Sequence, residues 1–398
     1  MGVAMTCFLT LLLVTGADLT FYVEVAAGKL DRMNEPVGVP LTLPTGKTFT
    51  AKGTLDGKDV GPVAVVAPRL ASAGKETAEA WFVLPKLEAG KTAKVQLTLS
   101  EGTSSGDLVW KREKDISTLY NGKSPVLRYE HAALDETKRE ATFKVYHHAY
   151  SPEGVLLTKG VGGQYTHHRG LFYGFMKTTY GKETVDIWHC KGQTHQAHKE
   201  FAEETPANPV IGRHRVKIDW NGNGGKTFAV EERELAAFPL PGGTLIEFTS
   251  RLTPTEADVK LDGDPQHAGF HFRASNEVND KTKNETIYIR PDGVGKPGTE
   301  TNWPSNKKHI NLPWLAMSFV VGGQRYTSAY LDLPTNPKES RFSERTYGRF
   351  GSYFVTTVTK EKPLTVRYRV WLQKGQMTPE SVAALDKAFV EPVTLTVK

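Results

Sequence analysis

Leu364-Thr365-Val366-Arg367-Tyr368-Arg369-Val370-Trp371-Leu372-Gln373 is the stretch on which the fold turns. Leu364, Val366, Tyr368, Val370 and Leu372 alternate with Thr365, Arg367, Arg369, Trp371 and Gln373, and a period of two belongs to a strand with one face buried. The pattern recurs at residues 142–148 and 245–252, and at 93–99, where Val95, Leu97 and Leu99 oppose Lys94, Gln96 and Thr98. Further apolar runs at 19–25, 60–66 and 80–84 are spaced by turn formers, as in a small sandwich. A small polar run, Glu101-Gly102-Thr103-Ser104-Ser105-Gly106, then marks a boundary. These patterns predict an all-β chain: a small N-terminal β-sandwich over 18–100, then a large antiparallel β-sandwich over 107–398. One helix is predicted near the C-terminus, where Thr378 caps, Pro379 and Glu380 suit the first turn, and Val382, Leu385 and Phe389 share a face.

Length and composition agree. A chain of 398 residues outgrows a single core, and its 37 Gly and 23 Pro favour short strands joined by tight turns. The net charge of +6 comes from Lys and Arg scattered among acids, without the basic stripe of a nucleic-acid binder. Residues 5–14 form an apolar run followed by Thr15, Gly16 and Ala17, which predicts a signal peptide over 1–17 and a secreted or periplasmic protein. Cys7 departs with that segment, which leaves Cys190 without a disulfide partner. No later run is apolar enough to predict stable membrane insertion.

Nine of the twelve histidines fall between His131 and His214, so the chemistry is sought there. Residues 160–173 combine glycines with His167, His168 and Arg169, which together supply acid/base, metal-ligand and anion-binding groups. A second segment holds Asp186, Trp188, His189, His195 and Gln196; its carboxylate can orient an imidazole and its indole can stack on a sugar. A third, read as a strand, places His267, Gly269, His271 and Arg273 on one face, with Phe270 and Phe272 toward the core. His267 and His271 stand about 13 Å apart along such a strand, too far to share one metal unaided. Walker, HExxH, CxxC, GxSxG and dinucleotide fingerprints are absent, which removes support for NTPases, zincins, α/β-hydrolases and dehydrogenases.

The run His167 to Leu171, with Tyr150, Ser151, Pro152 and Gly154 before it and Asp186, Trp188 and His189 after it, resembles the bacterial methane oxygenase PmoA-like family. The segments Pro125 to Tyr129 and His267 to Arg273 extend the likeness over most of the second unit, and residues 28–40, with Asp31 and Arg32, are similar to its small leading domain. The resemblance implies a soluble, exported, supersandwich-like β-protein of the kind shared by sugar mutarotases and polysaccharide lyases. It does not imply methane oxidation, because the chain lacks apolar spans beyond residue 17.

The leading expectation is therefore a carbohydrate-active enzyme of lyase, epimerase or hydrolase type. In it His168 or His271 moves a proton and Arg169 or Arg273 holds an anionic oxygen, while His167, Asp186, Trp188, Gln196 and His267 contact a carbohydrate substrate. A second expectation is a divalent-metal enzyme, oxygen-using or not, with His167, His168, His189 and His271 as ligands. A third is a non-catalytic glycan-binding protein. The loop around His168 and the strand around His271 are expected to face one pocket.

Overall fold

The computed structural model describes residues 18–72 and 74–398; the expected signal segment, Cys7 included, lies outside them. The chain is built from antiparallel strands in four sheets among the described residues. The first sheet runs in the order Arg32–Leu41, Ala78–Leu87, Val63–Val66, Phe49–Leu55, Thr92–Glu101, Leu19–Ala26. Its core takes one residue in two from each strand, so Val95, Leu97 and Leu99 are buried while Lys94 and Gln96 stay exposed.

Beyond residue 107 an eight-stranded and a nine-stranded sheet pack face to face, with a four-stranded sheet beside them. Leu171, Tyr173, Phe175, Phe270, Phe272 and Phe350 come to the shared core from one sheet, Phe248, Val366, Tyr368 and Val370 from the other. Phe270 stacks on Phe248 at 4.1 Å between centroids and on Tyr368 at 5.1 Å, which ties the layers together at their middle. The strand Leu364–Lys374 buries Val366, Tyr368, Val370 and Leu372 here, as its alternation predicts. Its opposite face is also covered: Trp371 joins a second core with Phe238, Val382 and Phe389, and Arg369 lies over the Phe389 ring at 4.5 Å.

The covering element is the helix Pro379–Val390, capped by Thr378, whose side chain accepts from the Ser381 N–H. After the helix, Thr394–Val397 pairs with Leu19–Ala26 and becomes an edge of the first sheet. The division read from sequence left this closing strand with the large unit. Strand pairing is set by partners hundreds of residues away, which local alternation does not encode. The alternation at 142–148 is also shorter than expected, since Arg139–Thr142 is a helical turn and the strand is Tyr146–Ala149. Among the described residues no helix is long and apolar enough to cross a membrane.

The fold prepares a site on the outer face of the eight-stranded sheet. There Leu171–Phe175 pairs with Ala268–Arg273, which pairs with Arg349–Tyr353, so that Phe172, His271 and Gly351 stand in one row. Phe270 and Phe272 point the other way, into the core. Only glycine fits at 351, because a Cβ there would lie 2.4 Å from the His271 ring.

Candidate functional site

Two short segments repeat one local design. Asp186-Ile187-Trp188-His189 and Asp264-Pro265-Gln266-His267 each place a histidine three residues after an aspartate. Asp186 Oδ1 accepts from the backbone N–H of Trp188 at 3.0 Å and of His189 at 2.7 Å. Asp264 Oδ1 does the same for Gln266 at 2.7 Å and His267 at 3.0 Å. The second oxygen takes the ring proton: His189 Nδ1 donates to Asp186 Oδ2 at 2.8 Å, His267 Nδ1 to Asp264 Oδ2 at 3.0 Å. With Nδ1 held by the carboxylate, Nε2 is the nitrogen each ring has to offer a metal.

His167 completes the group. It lies 4.4 Å from His189 and 5.3 Å from His267 between ring centroids, and the three residues offer ligand atoms within 4.8 Å of one another. All three are half-buried, so the cluster opens to solvent on one side. Burial, then His189 and Lys144, hold His167 well below the usual histidine range, so it is neutral. Although burial raises the Asp186 and Asp264 carboxyls, hydrogen bonds from the neighbouring histidine bring both below the usual carboxylate range. Three imidazole nitrogens, two of them on rings oriented by carboxylates, fit a first-row divalent ion with an open position.

Around this centre the structure gathers most of the residues singled out from sequence. His168 stacks on His267 at 5.5 Å, Trp188 lies edge-on to His271 at 4.7 Å, and His168 meets Trp188 at 5.7 Å. Backbone bonds lock the segments: Lys159 N–H donates to Arg273 O at 3.0 Å, Gly170 N–H to Lys159 O at 2.8 Å, and Arg273 N–H to Gly170 O at 2.8 Å. The loop carrying His167, His168 and Arg169 therefore sits directly on the strand carrying His271 and Arg273.

Several assignments change. His168 and His271 are not members of the three-histidine group; His267, expected as a substrate contact, is. Both buried rings are driven well below the histidine range by burial and then by Arg349, so neither titrates near neutrality as a proton carrier must. Trp188 is 1% exposed and packs against Phe172, which leaves no free face for a sugar. The exposed aromatic beside the cluster is Tyr165, 4.8 Å from Tyr347. Gln196 is not brought in: its buried amide donates to Tyr173 O at 3.0 Å.

Four of the histidines in the dense stretch lie away from this site. His131, His147, His198 and His214 gather around Tyr129, with His147 Nε2 and His214 Nε2 2.8 Å apart in a fully buried pair. Asp264, Lys144, Lys159, Tyr347 and Arg349 escaped the sequence reading. The doubled Asp-x-x-His spacing was the available signal for Asp264.

Residues 116–387 match the family of unknown function DUF6807. The chain belongs to DUF6807. That match overturns the resemblance to methane oxygenase PmoA-like proteins, because DUF6807 is the family found and nothing indicates a methane oxygenase. No curated protein matches this DUF6807 chain. Among solved structures it is similar to an alpha-mannosidase from Enterococcus faecalis V583, with a TM-score of 0.38 and 10% identity over 95% of this chain. The likeness spans 46% of the mannosidase chain.

Proposed function

We propose that this DUF6807 protein is a metal-dependent enzyme acting on a carbohydrate, with His167, His189 and His267 as the ligands of one divalent ion. The observation that carries the reading is the convergence of three imidazoles whose ligand atoms lie within 4.8 Å, two of them pinned by carboxylates at the far nitrogen. An ion held there supplies a Lewis acid and a bound water acidified toward neutrality, which suits hydrolysis or proton abstraction.

The chain's own groups would do the rest. Asp186 and Asp264 fix the rings and keep Nδ1 protonated. His271 Nδ1 accepts from Arg349 Nη1 at 3.3 Å, so its proton sits on Nε2, a buried donor that has no partner among the described residues. The exposed Tyr165, with the half-buried Tyr347 beside it, offers an aromatic rim on which a sugar ring can stack.

The test is a panel of oligosaccharides incubated with the full chain, once loaded with zinc or manganese and once treated with chelator. Altered glycan products from the loaded protein alone are expected. Products that form equally after chelation would sink the metal reading, and a loaded protein that alters no glycan would sink the carbohydrate one.

A further inference from the structure

Three guanidiniums and two amines are buried around the imidazole cluster: Arg169, Arg273 and Arg349, with Lys144 and Lys159, whose amines burial pushes down to about 7. Their partners are neutral. Lys144 Nζ donates to the carbonyls of His167, at 3.0 Å, and Trp188. Lys159 Nζ donates to His168 O at 3.2 Å, and Arg169 Nη2 to Glu140 O at 2.7 Å. Arg273 donates to the carbonyls of Ala274 and Tyr347, and Arg349 to Pro265 O and Ser343 Oγ. Elsewhere this fold answers a buried guanidinium with a carboxylate: Arg233 meets Glu231 at 2.8 Å, and Arg213 meets Glu203 at 3.2 Å and Glu79 at 3.4 Å.

At the site the carboxylates are committed, because Asp186 and Asp264 serve His189 and His267. Arg273 and Arg349 stand directly opposite each other on neighbouring strands, a placement that like charges oppose. Five N–H positions remain without a partner among the described residues: Arg169 Nε and Nη1, Arg273 Nε and Nη2, and Arg349 Nε. Buried unpaired charge is costly, and a divalent cation on the three imidazoles would add to the positive charge.

Resting on the carbohydrate reading above, we propose that the substrate is an acidic sugar, whose carboxylate or sulfate ester is held by the cationic wall of Arg169, Arg273 and Arg349. Arginine's planar fork suits either anion.

The experiment titrates the metal-loaded full chain with oligomers of a hexuronic acid and with the same oligomers after reduction of their carboxylates to alcohols. The acidic form should bind at least about tenfold tighter, with the preference shrinking as salt rises and vanishing in Arg273→Gln. A sulfated neutral oligosaccharide run in parallel decides which anion is preferred. Equal binding of acidic and reduced oligomers overturns the proposal, whether or not Arg273→Gln folds. If neither oligomer binds, thermal melts with glucuronate or sulfate against chloride at equal ionic strength separate the two ideas. Stabilisation by these anions that is lost in Arg273→Gln keeps the anion site and removes the carbohydrate reading, whereas no stabilisation removes the anion site.

Discussion

Asp186 and Asp264 each use one oxygen to close a turn and the other to hold a histidine ring, so a single side chain fixes both the path of the backbone and the tautomer of a ligand. Because His267 Nδ1 must be protonated for Nε2 to face an ion, Asp264→Asn should weaken zinc binding by about 10–100-fold. Asp264 is half-buried on the surface loop, so the metal-free melting temperature should barely move. Calorimetric titration of zinc into the variant checks this, and unchanged affinity would show that the carboxylate does not orient a ligand. At this scale much of the site was legible: His167, His168, Arg169, Asp186, His189, His267, His271 and Arg273 all stood out by residue type. Their division of labour was not, because burial and the approach of Arg349 to His271 depend on a strand 78 residues away.

Among the elements, the helix Pro379–Val390 was readable from Thr378, Pro379 and its apolar spacing, yet it carries an acid the pattern did not flag. Asp386 faces inward, 8% exposed, with Oδ1 unpartnered among the described residues. Burial, and then Asp332, push its carboxyl up to about 7. The folded state therefore holds a proton that the unfolded chain has released above about pH 4, so this group costs stability progressively as pH rises from 4 to 7. Asp386→Asn cannot ionise, and its gain in melting temperature over the natural chain should be larger at pH 8 than at pH 5. A gain independent of pH would show that Asp386 is ionised alike in both states. The strands were legible where one face meets water, as in Thr92–Glu101. They were less so where both faces are covered, as in Leu364–Lys374, whose Trp371 reads as solvent-facing by alternation and is buried beneath the helix.

Across the whole molecule, the two units share buried polar contacts as well as the closing strand. Glu234 accepts from the Leu70 N–H at 2.9 Å, Arg251 Nη2 donates to Leu70 O at 2.7 Å, and Arg213 links Glu79 to Glu203. The contacts that cross between the units do not show in sequence, since their partners lie 134 to 181 residues apart. The same long-range assembly builds the site, which draws its three proposed ligands from three separate segments. Metal analysis of the purified full chain, equilibrated with zinc, manganese or nickel and dialysed, tests this account most directly. The account predicts about one divalent ion per chain in the natural protein and almost none in His267→Ala, with the circular dichroism spectrum unchanged. A natural chain that retains no stoichiometric ion, or a His267→Ala chain that retains as much, would contradict it.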